Sequence, residues 1–135
     1  MAKEWCKHYR GMHEKEACEA GVRLQELPGY GAKGFMETCP CFGPSEICGK
    51  AEYPTAEEMA AHEADMQARF ERIGKARTAI VEHLGGPWKR GTAGSNGKID
   101  CPACGGKETL AFSRAGYNGH IHAACSTDDC VRWME

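Results

Sequence analysis

The chain has 135 residues, 27% of them charged and 41% apolar, and a formal net charge of −2. That balance excludes a disordered tail and a membrane-embedded chain, and the weak negative charge excludes a surface that is basic all over, so any nucleic-acid contact must be local. Large aliphatic residues are scarce while cysteines number nine and histidines six, the profile of a thin core that needs staples.

Metal suits those cysteines better than disulfides do. The first residues carry no apolar signal-like stretch, and no run approaches the roughly 18 apolar residues that a membrane helix requires. Nine is also an odd number, and the cysteines gather toward the two ends with several at ligand spacing. This pattern points to thiolate-bound metal in a reducing cytoplasm.

Residues 1–50 hold five cysteines among glycines, without apolar periodicity. They read as an irregular segment organised by one metal. Cys6, Cys18, Cys41 and Cys48 are the expected ligands, with His8 and Cys39 as alternates, while His13 falls in a polar stretch. Zinc is the expected ion and an iron–sulfur cluster the alternative, since both accept four thiolates.

Residues 56–84 read as one long helix. Thr55 and Glu58 form a capping box after Pro54, Glu57 and Glu58 suit the positive end of the helix dipole, and Gly85-Gly86-Pro87 ends the run. Met59, Met66, Ile73 and Ile80 recur every seven residues beside Phe70 and Leu84, one narrow apolar stripe. The stripe is expected to pack on the N-terminal block, with self-association or partner binding through helix 56–84 as the alternative. Residues 85–98 contain five glycines and read as a flexible linker, dividing a metal-binding unit over 1–84 from a C-terminal one over 99–135.

The sharpest motif comes last. Cys101-Pro-Ala-Cys104-Gly-Gly is followed by Cys125-Ser-Thr-Asp-Asp-Cys130, with 20 residues between Cys104 and Cys125. A two-residue gap lets both thiolates of a tight turn face one tetrahedral ion. Between the knuckles, 109–114 and 120–124 have strand patterning with Asn118-Gly119 as the turn, and 131–134 supplies a third short strand. Knuckle, hairpin, knuckle, strand describes a zinc ribbon, so the expected class is α+β with two zinc ions in all. Phe112, Tyr117 and Trp133 offer rings to unpaired bases, and Lys107, Arg114 and Arg132 offer charges to phosphates. His120 and His122 flank Ile121 and are expected to be surface or supporting groups, since four thiolates already close a structural site.

The two knuckles, with Gly116-Tyr-Asn-Gly119 ahead of the second, resemble the C-terminal zinc ribbons of type IA DNA topoisomerases. The resemblance covers a quarter of the chain and implies a surface for single-stranded DNA, without strand cleavage. The chain as a whole resembles small cysteine-rich proteins of tailed bacteriophages and prophages, through Cys6-Lys-His-Tyr-Arg-Gly, Cys18-Glu-Ala-Gly-Val, Pro54-Thr-Ala-Glu-Glu and Tyr117-Asn-Gly-His-Ile-His. That second resemblance would place it in the host cytoplasm.

No nucleophile elbow, phosphate-binding loop or dinucleotide fingerprint occurs, and the zinc-deaminase spacing is missing after Pro40-Cys41. The expectation is a non-catalytic protein that binds single-stranded or distorted nucleic acid through Arg114, Tyr117, Asn118 and Arg132. An adaptor or inhibitor acting on a host transcription or replication enzyme is the alternative.

Overall fold

The computed structural model describes residues 4–11 and 18–135; His13 lies outside them. The chain forms two compact units, Met1–Ala64 and Asp65–Glu135.

The first unit is built mainly of turns, as the missing periodicity implies, with two single-turn 3-10 helices at Leu24–Glu26 and Phe35–Glu37. Leu27, Phe35 and Cys39 are buried together, flanked by Val22, Phe42 and Ile47. Trp5, Tyr9 and Phe42 meet edge to face with centroids 5.2–5.6 Å apart, contacts worth about 0.5–1.5 kcal/mol per pair beyond their buried area. The Tyr53 hydroxyl donates to the Pro40 carbonyl at 2.8 Å and accepts the Ser45 N–H at 3.2 Å, pinning the loop that carries Cys41.

Helix α1 runs Ala56–His83. Its start is the expected capping box: the Glu58 N–H donates to Thr55 Oγ1 at 3.2 Å, and the Thr55 N–H donates to Glu58 Oε2 at 2.7 Å. Its end is a Schellman motif, with Gly86 N–H on the Val81 carbonyl and Gly85 N–H on that of Glu82. Gly85 takes the left-handed conformation the motif requires, φ 85°.

Four antiparallel strands follow in the order β1 (Ser95–Ile99), β2 (Leu110–Arg114), β3 (Ile121–Cys125) and β4 (Arg132–Met134). The inner face of this sheet buries Leu110, Phe112, Ile121 and Ala123 together with Ala76 and Ile80 of α1, with Ile73 and Leu84 beside them. Three expectations are corrected here. Ile73, Ile80 and Leu84 of the apolar stripe, expected to face the N-terminal block, pack on the ribbon, and Phe70 is 61% exposed. The glycine-rich stretch over 85–98 is not a tether throughout, because 95–98 join Ile99 as an edge strand of the sheet. Asn118-Gly119 is not a two-residue hairpin turn; it sits in a six-residue loop between β2 and β3. Trp88, from the connection between α1 and β1, packs its ring so closely on Gly119 of that loop that a Cβ there would lie 2.5 Å from its Cγ, while the indole N–H donates to the Gly116 carbonyl at 3.1 Å.

Candidate metal centre

Two turns present the four C-terminal thiols. In the first, the Gly105 N–H donates to the Cys101 carbonyl at 2.7 Å and the Cys101 N–H to the Gly106 carbonyl at 2.9 Å. Gly105 has φ 72°, a conformation that glycine adopts without strain. This turn aims the N–H groups of Ala103 and Cys104 at the Cys101 sulfur. In the second, Asp129 takes the left-handed role at φ 54°, and the Cys125 N–H donates to the Val131 carbonyl at 2.8 Å.

The Sγ atoms of Cys101, Cys104, Cys125 and Cys130 all lie within 4.8 Å of one another, and this is the one such group of ligand-type side chains among the described residues. Cys101 to Cys130 is 3.6 Å and Cys104 to Cys125 is 3.7 Å. A zinc–sulfur bond of about 2.3 Å gives a tetrahedron whose edge is about 3.8 Å, so both pairs stand at ligand separation and far beyond a cystine bond. All nine cysteines are free thiols. The donor set therefore fits a closed, tetrahedral metal site.

Four thiols in one place cannot ionise alike without a cation. Burial raises Cys130 most, and its three neighbouring thiols add to this, carrying it to about 12. Burial also acts upward on Cys125, but the Thr109 hydroxyl and the Thr127 N–H and hydroxyl outweigh it and bring the thiol down to about 6. Cys104 is lowered by the Thr127 hydroxyl, 3.5 Å away, and by the Gly106 N–H. A divalent ion would hold all four as thiolates, so its binding releases protons and tightens as pH rises.

No family model, curated protein or solved structure matches this chain. The topoisomerase-type and phage-type resemblances thus rest on their motif residues alone.

In the first unit, Cys6, Cys18, Cys41 and Cys48 line a single cavity of about 20 Å³ with Val22, Leu24 and Pro40. Three of these cysteines open similar turns, their carbonyls accepting the N–H groups of Tyr9, Gly21 and Ala51 at 3.1–3.2 Å. Cys41 is tied in by its carbonyl, which accepts the Cys6 N–H at 3.1 Å. Of the alternates, Cys39 is buried in the neighbouring apolar cluster, and His8 lies 3.5 Å from the Glu52 carboxylate. Burial, with Cys39, Cys6 and Cys18 nearby, pushes the Cys41 thiol up to about 12.

The expected nucleic-acid residues separate. Arg114 is buried on the inner face of β2, and Asn118 is half-buried in the loop. Tyr117 is 84% exposed, and Arg132 is exposed on the outer face. Phe112 belongs to the core, Trp133 is half-buried beside it, and Lys107 pairs with Asp100 at 3.0 Å. His120 and His122 part company as well: β3 begins at Ile121, leaving His120 in the loop and His122 on the outer face.

That outer face was not legible in the sequence. Strand register aligns Asn96, Ser113, His122 and Met134 in one row, and Lys98, Ala111, Ala124 and Arg132 in the next. Neither row contains a carboxylate. Only the period-2 alternation of four correctly bounded strands would have found it.

Proposed function

We propose that this chain is a non-catalytic metal–thiolate protein whose C-terminal ribbon holds zinc and grips single-stranded or distorted nucleic acid across the outer face of its sheet. The observation that supports this reading is the pair of cross-strand rows, which place exposed Lys98, His122 and Arg132 on one face and contain no carboxylate themselves. Ala111 and Ala124 between the two cations make a low floor that a strand can approach. Tyr117, standing clear of the β2–β3 loop, offers a ring for stacking, worth about 1–3 kcal/mol per base. Arg114, buried, acts in this reading through the fold and not through contact. The two zinc knuckles hold the strand ends in register.

The test is fluorescence anisotropy of labelled single-stranded DNA with the zinc-loaded chain over a salt series. Each phosphate contact contributes about −0.7 to the slope of log K against log salt, so Lys98→Ala and Arg132→Ala should each flatten the slope by about that amount. Tyr117→Ala should weaken binding without changing the slope. Absence of binding at low salt by zinc-loaded protein contradicts the reading.

A second ion in the N-terminal cavity belongs to the same proposal, with Cys6, Cys18, Cys41 and Cys48 as its ligands. The four thiols share the cavity with Lys50 and apolar side chains and do not stand together at ligand separation, so binding would draw them onto the ion. Zinc is the favoured occupant; visible absorption by the purified protein would instead assign an iron–sulfur cluster.

The adaptor reading is favoured by one observation, the exposed Phe70 on α1. A host protein retained after nuclease treatment, and lost with Phe70→Ala, supports it; loss of all partners on nuclease treatment excludes it.

A further inference from the structure

Among the described residues Arg114 has no counter-charge. Its side chain is 4% exposed, Nη1 donates to the Gly86 carbonyl at 3.0 Å, and Nε has no partner. Among the described residues no carboxylate lies within 4.0 Å of it. Capping the end of α1 accounts for one nitrogen of the guanidinium but leaves a buried positive charge uncompensated, which proteins rarely tolerate.

The same side chain lines a cleft of about 280 Å³ shared with Arg77, Trp88, Asn118, His120 and Glu135. Glu135 is the only acid on that wall, and it is already committed: one oxygen pairs with Arg77, and the other accepts the Ile121 N–H at 2.9 Å. Two guanidinium groups therefore face one engaged side-chain carboxylate, with an imidazole and a carboxamide at the same opening. This cleft is separate from the outer sheet face, because Arg114 projects from the inner side of β2. The volume exceeds what a bare inorganic ion needs and approaches the lower limit of small-ligand pockets.

We propose that the cleft is an oxyanion site that takes a phosphate group, carried by a small molecule or by the end of a nucleic-acid strand. Arg114 supplies the buried charge, Arg77 swings from Glu135 to share the anion, and Asn118 and His120 donate at the opening. Planar guanidinium donors suit tetrahedral oxyanions, and such charge-assisted bonds are the strong ones. The proposal does not depend on the nucleic-acid reading of the outer face.

The experiment is an NMR titration of the zinc-loaded full chain, following the Gly86, Asn118 and Ile121 amides. Inorganic phosphate, a nucleoside 5′-monophosphate and chloride at matched ionic strength form the first three arms. Saturable shifts at these amides with phosphate but not with chloride are expected. Arg77→Gln, at an exposed position, should keep the fold and weaken phosphate binding by about tenfold. Arg114→Met replaces the guanidinium with an apolar chain and should abolish the saturable shifts; a helix-capping role alone would lower stability and leave them intact. Two further arms, an oligonucleotide with a 5′-phosphate and its 5′-hydroxyl twin, separate a strand end from a free small molecule. Equal responses to phosphate and chloride overturn the proposal, as do phosphate responses that survive both substitutions.

Discussion

Ile80→Ala probes the joint between α1 and the sheet. Ile80 is completely buried, clustered with Leu110, Phe112 and Ile121. Truncating such a side chain removes transfer energy and leaves a cavity, a loss of about 2–5 kcal/mol. In a unit of this size each kcal/mol moves Tm by about 4–8 °C, so a drop of roughly 10 °C or more is expected. The control is Phe70→Ala on the same helix, exposed and expected to change stability by less than about 0.5 kcal/mol. Both are read by thermal melts of the zinc-loaded chain followed by circular dichroism, with released zinc detected by a chromogenic chelator. Ile80→Ala should bring zinc release to lower temperature, because the helix braces the strands that carry the knuckles. Equal Tm values for the two variants would refute the packing of this half of α1 on the ribbon.

Gly119→Ala should be strongly destabilising, since the added Cβ meets the Trp88 ring at 2.5 Å from a backbone held at φ 74°; Trp fluorescence and Tm both report it. Thr55→Ala removes the cap of α1 and should cost about 1 kcal/mol, measured by chemical denaturation. Burial acts upward on the Glu135 carboxyl, but Arg77 and the Ile121 N–H outweigh it and hold it below its ordinary value. Its contribution to stability is therefore present above the unfolded-state pKa and is lost as pH falls through the lower folded value. An acid titration of the Ile121 amide by NMR should show that inflection below the ordinary Glu range, and Glu135→Gln should remove it.

What the sequence disclosed followed from local chemistry. Cysteine spacing located the four ribbon thiols because a knuckle is made within a few residues, and Thr55-x-x-Glu58 marked the start of α1 for the same reason. Non-local facts stayed hidden. Residues 95–98 fall in a stretch whose glycines read as a flexible linker, yet Gly97 fits an edge strand: opposite Phe112, a Cβ would sit 3.2 Å from that ring, tighter than ordinary contact. Arg114 looked like a surface cation because a five-residue strand does not announce which face is covered. The same ambiguity put His120 and His122 together. Lys98, paired across the sheet with Ala111, became a candidate contact only once the register was known.

Residue-resolved alkylation of the thiols is the most direct test of the metal centre. Zinc-loaded and chelator-stripped samples of the reduced chain would be treated with iodoacetamide and mapped by peptide mass spectrometry. Cys101, Cys104, Cys125 and Cys130 should be protected together by zinc, including the exposed Cys104, and should become reactive together when zinc is removed. Alkylation of any of the four at the same rate with and without bound zinc would contradict the account, and so would a cystine linking any two of them in native material.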